Sequence, residues 1–126
     1  MTTTTAPTGT ATALALAGRL VDALSTRSFD VLASCLAPDV QLRALVPPGP
    51  FELTGAAEVT ERFRRWFGDE EEFALVDASL GDVGPRTYAR WRIRVAGSRV
   101  VEQHVFLTCS DTVERIDLLC SGFVAA

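Results

Sequence analysis

Glu102 and His104 are the two residues of this 126-residue chain whose types and spacing suit proton transfer. They stand two positions apart in the run RVVEQHVFLTC at 99–109, where apolar and polar residues alternate as in a strand. On a strand, residues two apart project from the same face. A carboxylate beside an imidazole fixes its tautomer and favours its charged form, while apolar surroundings favour the neutral form of both. Either environment makes the pair tunable for acid–base work near neutral pH. The bland alternative is a half-buried histidine hydrogen-bonded to Glu102 or to Ser121, with no chemistry.

The other reactive residue types narrow the field. His104 is the single histidine, which excludes metal sites needing two or more histidine ligands. Cys35, Cys109 and Cys120 are odd in number and form no CxxC pair. Reduced, buried thiols of a cytoplasmic protein are expected, not a disulfide framework or a metal centre. No GxSxG, Gly-rich phosphate loop or dinucleotide fingerprint occurs, so no cofactor is implied. The formal net charge of −4 argues against a general nucleic-acid binder. No stretch approaches the roughly 18–20 apolar residues of a membrane span.

All 12 basic residues are arginine, which reads as a compositional bias. Arg62, Arg64 and Arg65 are interleaved with Glu58 and Glu61. The Glu58–Arg62 and Glu61–Arg65 spacings are the favourable acid-before-base order of a solvated helix face. Arg90, Arg92 and Arg94 alternate along a strand-like run, where ion pairing across a sheet or at a dimer rim is the expected use. Asp77 and Ser79 share a strand face, and parity puts Asp117 with His104.

These residues need elements to hold them. Residues 1–11 are Thr-rich with Pro7 and Gly9, lack apolar periodicity and are expected to be a disordered tail. One domain spans 12–126. Ala13, Leu16, Ala17, Leu20, Val21 and Leu24 define one face of a first helix from Thr12. A second helix follows Ser28, with Phe29, Leu32 and Leu36 inside and Pro38 stopping it. Residues 39–45 alternate as a strand, and the Pro47–Pro50 segment is a loop. A third helix over 55–67 buries Val59, Phe63, Trp66 and Phe67. Four strand-like runs follow at 73–80, 86–96, 99–109 and 113–124. Segregated helices and strands predict an α+β fold, with three helices on one face of a mainly antiparallel sheet.

If the last hairpin turns around 110–114, Val105 opposes Cys120 and His104 opposes Ser121. One face then collects Val101, Val105, Leu107, Cys109, Ile116, Leu118 and Cys120. The other collects Glu102, His104, Phe106, Thr108, Leu119, Ser121 and Phe123. Alignment around Ala96-Gly97 points Ala89, Trp91 and Ile93 inward.

The second helix running into Leu36-Ala37-Pro38-Asp39-Val40, the Thr54-Gly55 start of the third helix and the final hairpin with Glu114-Arg115-Ile116 together resemble the nuclear-transport-factor-2-like superfamily. More narrowly, they resemble its SnoaL-like and ketosteroid-isomerase-like small proteins. The resemblance covers about 12–124. It implies a cone-shaped α+β barrel, a curved sheet around helices with one apolar pocket, and commonly a homodimer through the convex face. Family members include isomerases, polyketide cyclases, epoxide hydrolases and non-catalytic binders, so fold alone does not choose. Ketosteroid isomerases use a tyrosine, a carboxylate base and a protonated aspartic acid. The matching positions here are Leu20, Ala44 or Leu45, and Phe106, so that mechanism is not expected.

With the mixed face assigned to the pocket, His104 becomes the acid/base and Glu102 its orienting partner. Thr108 and Ser121 would hold substrate oxygens, and Trp91, Phe106, Phe123, Phe63 and Trp66 would shape the walls. The aliphatic face becomes the dimer surface. The expected function is cofactor-independent cyclase or isomerase chemistry on a hydrophobic oxygenated molecule of polyketide type. The alternative is a small-molecule-binding or dimerisation protein of the same fold.

Overall fold

The computed structural model describes residues 10–125. Helix α1 (Thr10–Ser25) and helix α2 (Phe29–Ser34) precede strands β1 (Leu36–Val46) and β2 (Gly49–Thr54). Helix α3 (Ala56–Phe67) then leads to β3 (Phe73–Val83), β4 (Arg86–Val95), β5 (Arg99–Cys109), β6 (Val113–Cys120) and the short β7 (Val124–Ala125). Of the tail expected over 1–11, residues 1–9 lie outside the described residues. Thr10 and Ala11 begin α1.

The strand order is β2-β1-β6-β5-β4-β3, and β7 pairs with β5 beyond the end of β6. Every pairing is antiparallel except β1–β6, which is parallel. The sheet is curved and open, with β2 and β3 as its edges. This is the expected α+β arrangement of three helices on a curved, mainly antiparallel sheet.

One sheet face packs on the helices. Leu16, Leu20 and Leu24 of α1, Leu32 of α2, and Val59, Phe63 and Phe67 of α3 share one buried cluster with Leu42, Trp91, Val105 and Leu118. Period-2 alternation makes this possible. On β4, Thr87, Ala89, Trp91, Ile93 and Val95 point in, while Arg90, Arg92 and Arg94 point out. α3 is fixed at its C-terminus by Arg27, whose Nη1 donates to the carbonyls of Phe67 at 3.1 Å and Glu70 at 2.7 Å. A cation there satisfies carbonyls left over at the helix end and complements its dipole.

The strand parity read from the sequence holds, but its hand is reversed. The β5–β6 register pairs His104 with Leu119 and Val105 with Leu118, two residues from the expected pairing. A shift of two leaves every side chain on its face. The aliphatic set, however, is the inner one: Val101, Val105, Leu107, Ile116 and Leu118 are at most 2% exposed beneath the helices. It is core, not a subunit surface. Glu102, His104, Phe106 and Thr108 lie on the outer face, opposite to Trp91. Burying a continuous aliphatic face gains more than burying one that carries charges, because buried charges lose their hydration. Phe123 leaves the outer set altogether. The chain turns at Gly122 (φ 74°), and Phe123 lands 6.4 Å from the ring of Phe67.

Candidate functional site

Two concavities lie back to back at the end of the sheet where the β1–β2 turn meets the segment after β6. The larger, about 870 Å³, lies on the helix side. α3 supplies Arg62, Trp66 and Phe67, β2 supplies Phe51, β5 supplies Val101 and Gln103, and the last segment supplies Phe123. The smaller, about 610 Å³, opens on the outer face against Glu102, His104, Arg92, Leu45 and Leu119. Val46, Pro47, Cys120, Ser121 and Val124 border both and form the lip between them. Gly122 is essential to that lip. Its φ is positive, and a Cβ there would sit 2.7 Å from Cγ of Pro47.

The inner cavity is aromatic with a small polar floor. Phe63 and Trp66 meet edge-on at 5.4 Å, and Phe63 backs onto Trp91 at 6.3 Å. Gln103 is 1% exposed, and its Oε1 accepts from the Trp91 indole N–H at 2.8 Å. Its amide nitrogen donates to Cys120 Sγ at 3.4 Å. Neither an aspartate, a glutamate nor the histidine belongs to this wall.

The outer groove holds the titratable groups. His104 Nε2 lies 2.7 Å from Glu102 Oε2, and Tyr88 Oη lies 2.7 Å from His104 Nδ1. With Glu102 ionised, Nε2 carries the proton it donates to the carboxylate. Nδ1 of the neutral ring then accepts from the Tyr88 hydroxyl. Arg92 donates to Glu102 Oε1 through Nη2 at 2.9 Å and Nε at 3.1 Å. Those bonds, and secondly the bond from His104, hold the Glu102 carboxyl below the usual carboxylate range. Arg90 reaches Asp77 at 2.7 Å, so Arg90 and Arg92 are used in ion pairs across the sheet, as expected. Asp117 joins this face between Arg43 and Arg86.

The residues singled out from sequence therefore divide. Glu102 and His104 meet, but outside. Phe106 stands beside Tyr88 with ring centroids 5.3 Å apart, also outside, and Thr108 is exposed on that face. Trp66, Phe123 and Ser121 line the inner cavity. Phe63 and Trp91 are fully buried behind it. Phe51, Gln103 and Tyr88 escaped the sequence reading. Gln103 shows as the polar interruption in an aliphatic parity, and Tyr88 as the aromatic member of an arginine-bearing strand. Among the described residues, no group of three or more His, Cys, Asp or Glu could hold a metal ion. No described helix is long and apolar enough to cross a membrane.

Solved structures share this architecture. A proposed ketosteroid isomerase from Kribbella flavida DSM 17836 is 25% identical, with a TM-score of 0.74 over 96% of this chain and 86% of that one. A proposed polyketide cyclase from Xanthomonas campestris pv. campestris is 18% identical, with a TM-score of 0.69 over 86% and 90%. An LEH-like epoxide hydrolase from M. tuberculosis is 15% identical, with a TM-score of 0.64 over 89% and 84%. A search of curated proteins gave no match. A family model for the SnoaL-like domain matches residues 17–115, most of the chain that builds both concavities, and the chain belongs to that family.

Proposed function

We propose that this chain binds a hydrophobic, oxygenated small molecule of polyketide-like size in the cavity between α3 and the sheet. The observation that carries the reading is the division of the site. The roomy aromatic cavity has only a few polar groups, the usual make-up of a small-molecule site, while the proton-transfer groups face the other way. Calorimetric titration with a neutral aromatic ketone, 2-acetylnaphthalene, tests it. Saturable binding that weakens about ten-fold in Trp66→Ala and is unchanged in His104→Ala supports it. Ten-fold corresponds to about 1.4 kcal/mol of lost contact. Binding indifferent to Trp66 overturns it, as does failure of this ketone, 1-naphthylacetic acid and 1-naphthylacetamide all to bind.

A second reading keeps the acid–base enzyme. Its support is the Tyr88–His104–Glu102 hydrogen-bonded chain opening into the outer groove. A cyclase or isomerase using it would lose turnover in His104→Ala while keeping its fold. Turnover insensitive to that change removes this reading. We propose further that two copies pair through the outer face; because Leu45 and Leu119 also line the outer groove, this pairing would cover it and accompanies the binding reading rather than the enzyme one. Leu45 and Leu119 are 53% and 48% exposed there, beside Phe106 and a mesh of ion pairs.

A further inference from the structure

Arg62 is the one charged residue on the inner cavity's wall, and its contacts with the protein are to aromatic rings rather than to a charge partner. Its spacing from Glu58 predicts a helix-surface ion pair, yet that pair is not formed. On α3, Glu61 takes the neighbours instead, Arg64 at 2.9 Å and Arg65 at 3.9 Å. The Arg62 guanidinium lies over the Phe51 ring, 4.2 Å from its centroid, and 6.0 Å from that of Trp66. It has no hydrogen-bond or ion-pair partner among the described residues. Arg99, the other cation near Phe123, lies over that ring, 5.2 Å from its centroid, and faces Glu70 at 3.9 Å.

Stacking occupies the faces of a guanidinium and leaves its in-plane N–H donors available. Those donors form a rigid fork that matches a carboxylate with two parallel bonds. In apolar surroundings such a charge-assisted pair is stronger than in water. No carboxylate of the protein lines the cavity; Glu58 and Glu61 share with Arg62 only a separate groove on the helix surface, where neither pairs with it. A single fork suits a monoanion, whereas a phosphate dianion calls for more than one cation.

From this we infer that the ligand of the cavity is a carboxylic acid, with its apolar body against Trp66, Phe67 and Phe123 and its carboxylate on Arg62. The inference rests on the proposed use of the cavity and adds the chemical class of what fills it. Calorimetry at neutral pH with 1-naphthylacetic acid and its uncharged isostere 1-naphthylacetamide tests it on the full chain. The acid should bind about ten-fold or more tightly than the amide. Arg62→Gln should abolish that preference by weakening the acid alone, and Arg62→Lys should retain part of it. Circular dichroism checks the fold of both variants. Equal affinities in the wild type, or a preference that survives Arg62→Gln, overturn the inference. If 2-acetylnaphthalene binds while the acid shows no advantage, only the carboxylate assignment falls. If none of the three compounds binds, the cavity reading falls and takes this one with it.

Discussion

Asp117 illustrates how single residues set the character of the outer face. Arg43 donates to both its oxygens, at 2.7 and 3.0 Å, and Arg86 donates to Oδ2 from the neighbouring side. The Arg43 bond first, and the Arg86 bond after it, hold the carboxyl below its ordinary range against the opposing effect of partial burial. A depressed folded pKa means stabilisation that is full above the unfolded value, about 3.9, and lost as pH falls through the folded one. Asp117→Asn should therefore cost about 1–3 kcal/mol in urea denaturation near neutral pH. The gap to wild type should close as the pH drops below about 4. A gap that stays constant into acid would assign the loss to packing rather than charge. Glu102, held down by Arg92 and then His104, follows the same sign.

Between elements, the unit of stability is the pair of facing strand residues. Trp91 on β4 sits directly opposite Gln103 on β5, and both are buried. Gln103→Leu leaves a buried indole N–H without its acceptor and should cost about 1–3 kcal/mol. Adding Trp91→Phe removes that orphan donor, so the double variant should lose less than the sum of the two singles. Chemical denaturation of all four proteins reads the coupling, and strict additivity would mean the bond contributes nothing. Much of this level is legible in the sequence. The apolar stripe of α1 and the full extent of β5 follow from periodicity, because periodicity reports burial directly. The Glu102–His104 contact is legible because it is local. Tyr88 is not, because its place beside His104 depends on the register of another strand. The hand of the sheet is not legible either. Phe106, Leu119 and Phe123 make the outer parity look as apolar as the inner one. What decides between them is where α1 and α3 lie, which is long-range information.

For the whole molecule, the reversed hand changes which substitutions break what. Val105 and Leu118 are core residues, so a charge at either should unfold the chain. Leu119→Glu lies on the exposed outer face and should leave the fold intact while splitting the proposed dimer. Sedimentation at micromolar concentration distinguishes the two outcomes, and a monomeric wild type would remove the dimer proposal. The parallel joining of β1 to β6 carries a further consequence. Arg43 and Asp117, which clasp across it, are 74 positions apart. A nascent chain leaving the ribosome presents β1 with β2 on one flank and an unsatisfied backbone edge on the other. That edge persists until the 113–120 segment has been made. The centre of the sheet is thus completed late in synthesis by a distant contact, the slow regime for small domains. During that interval the unpaired edge is open to association with other chains.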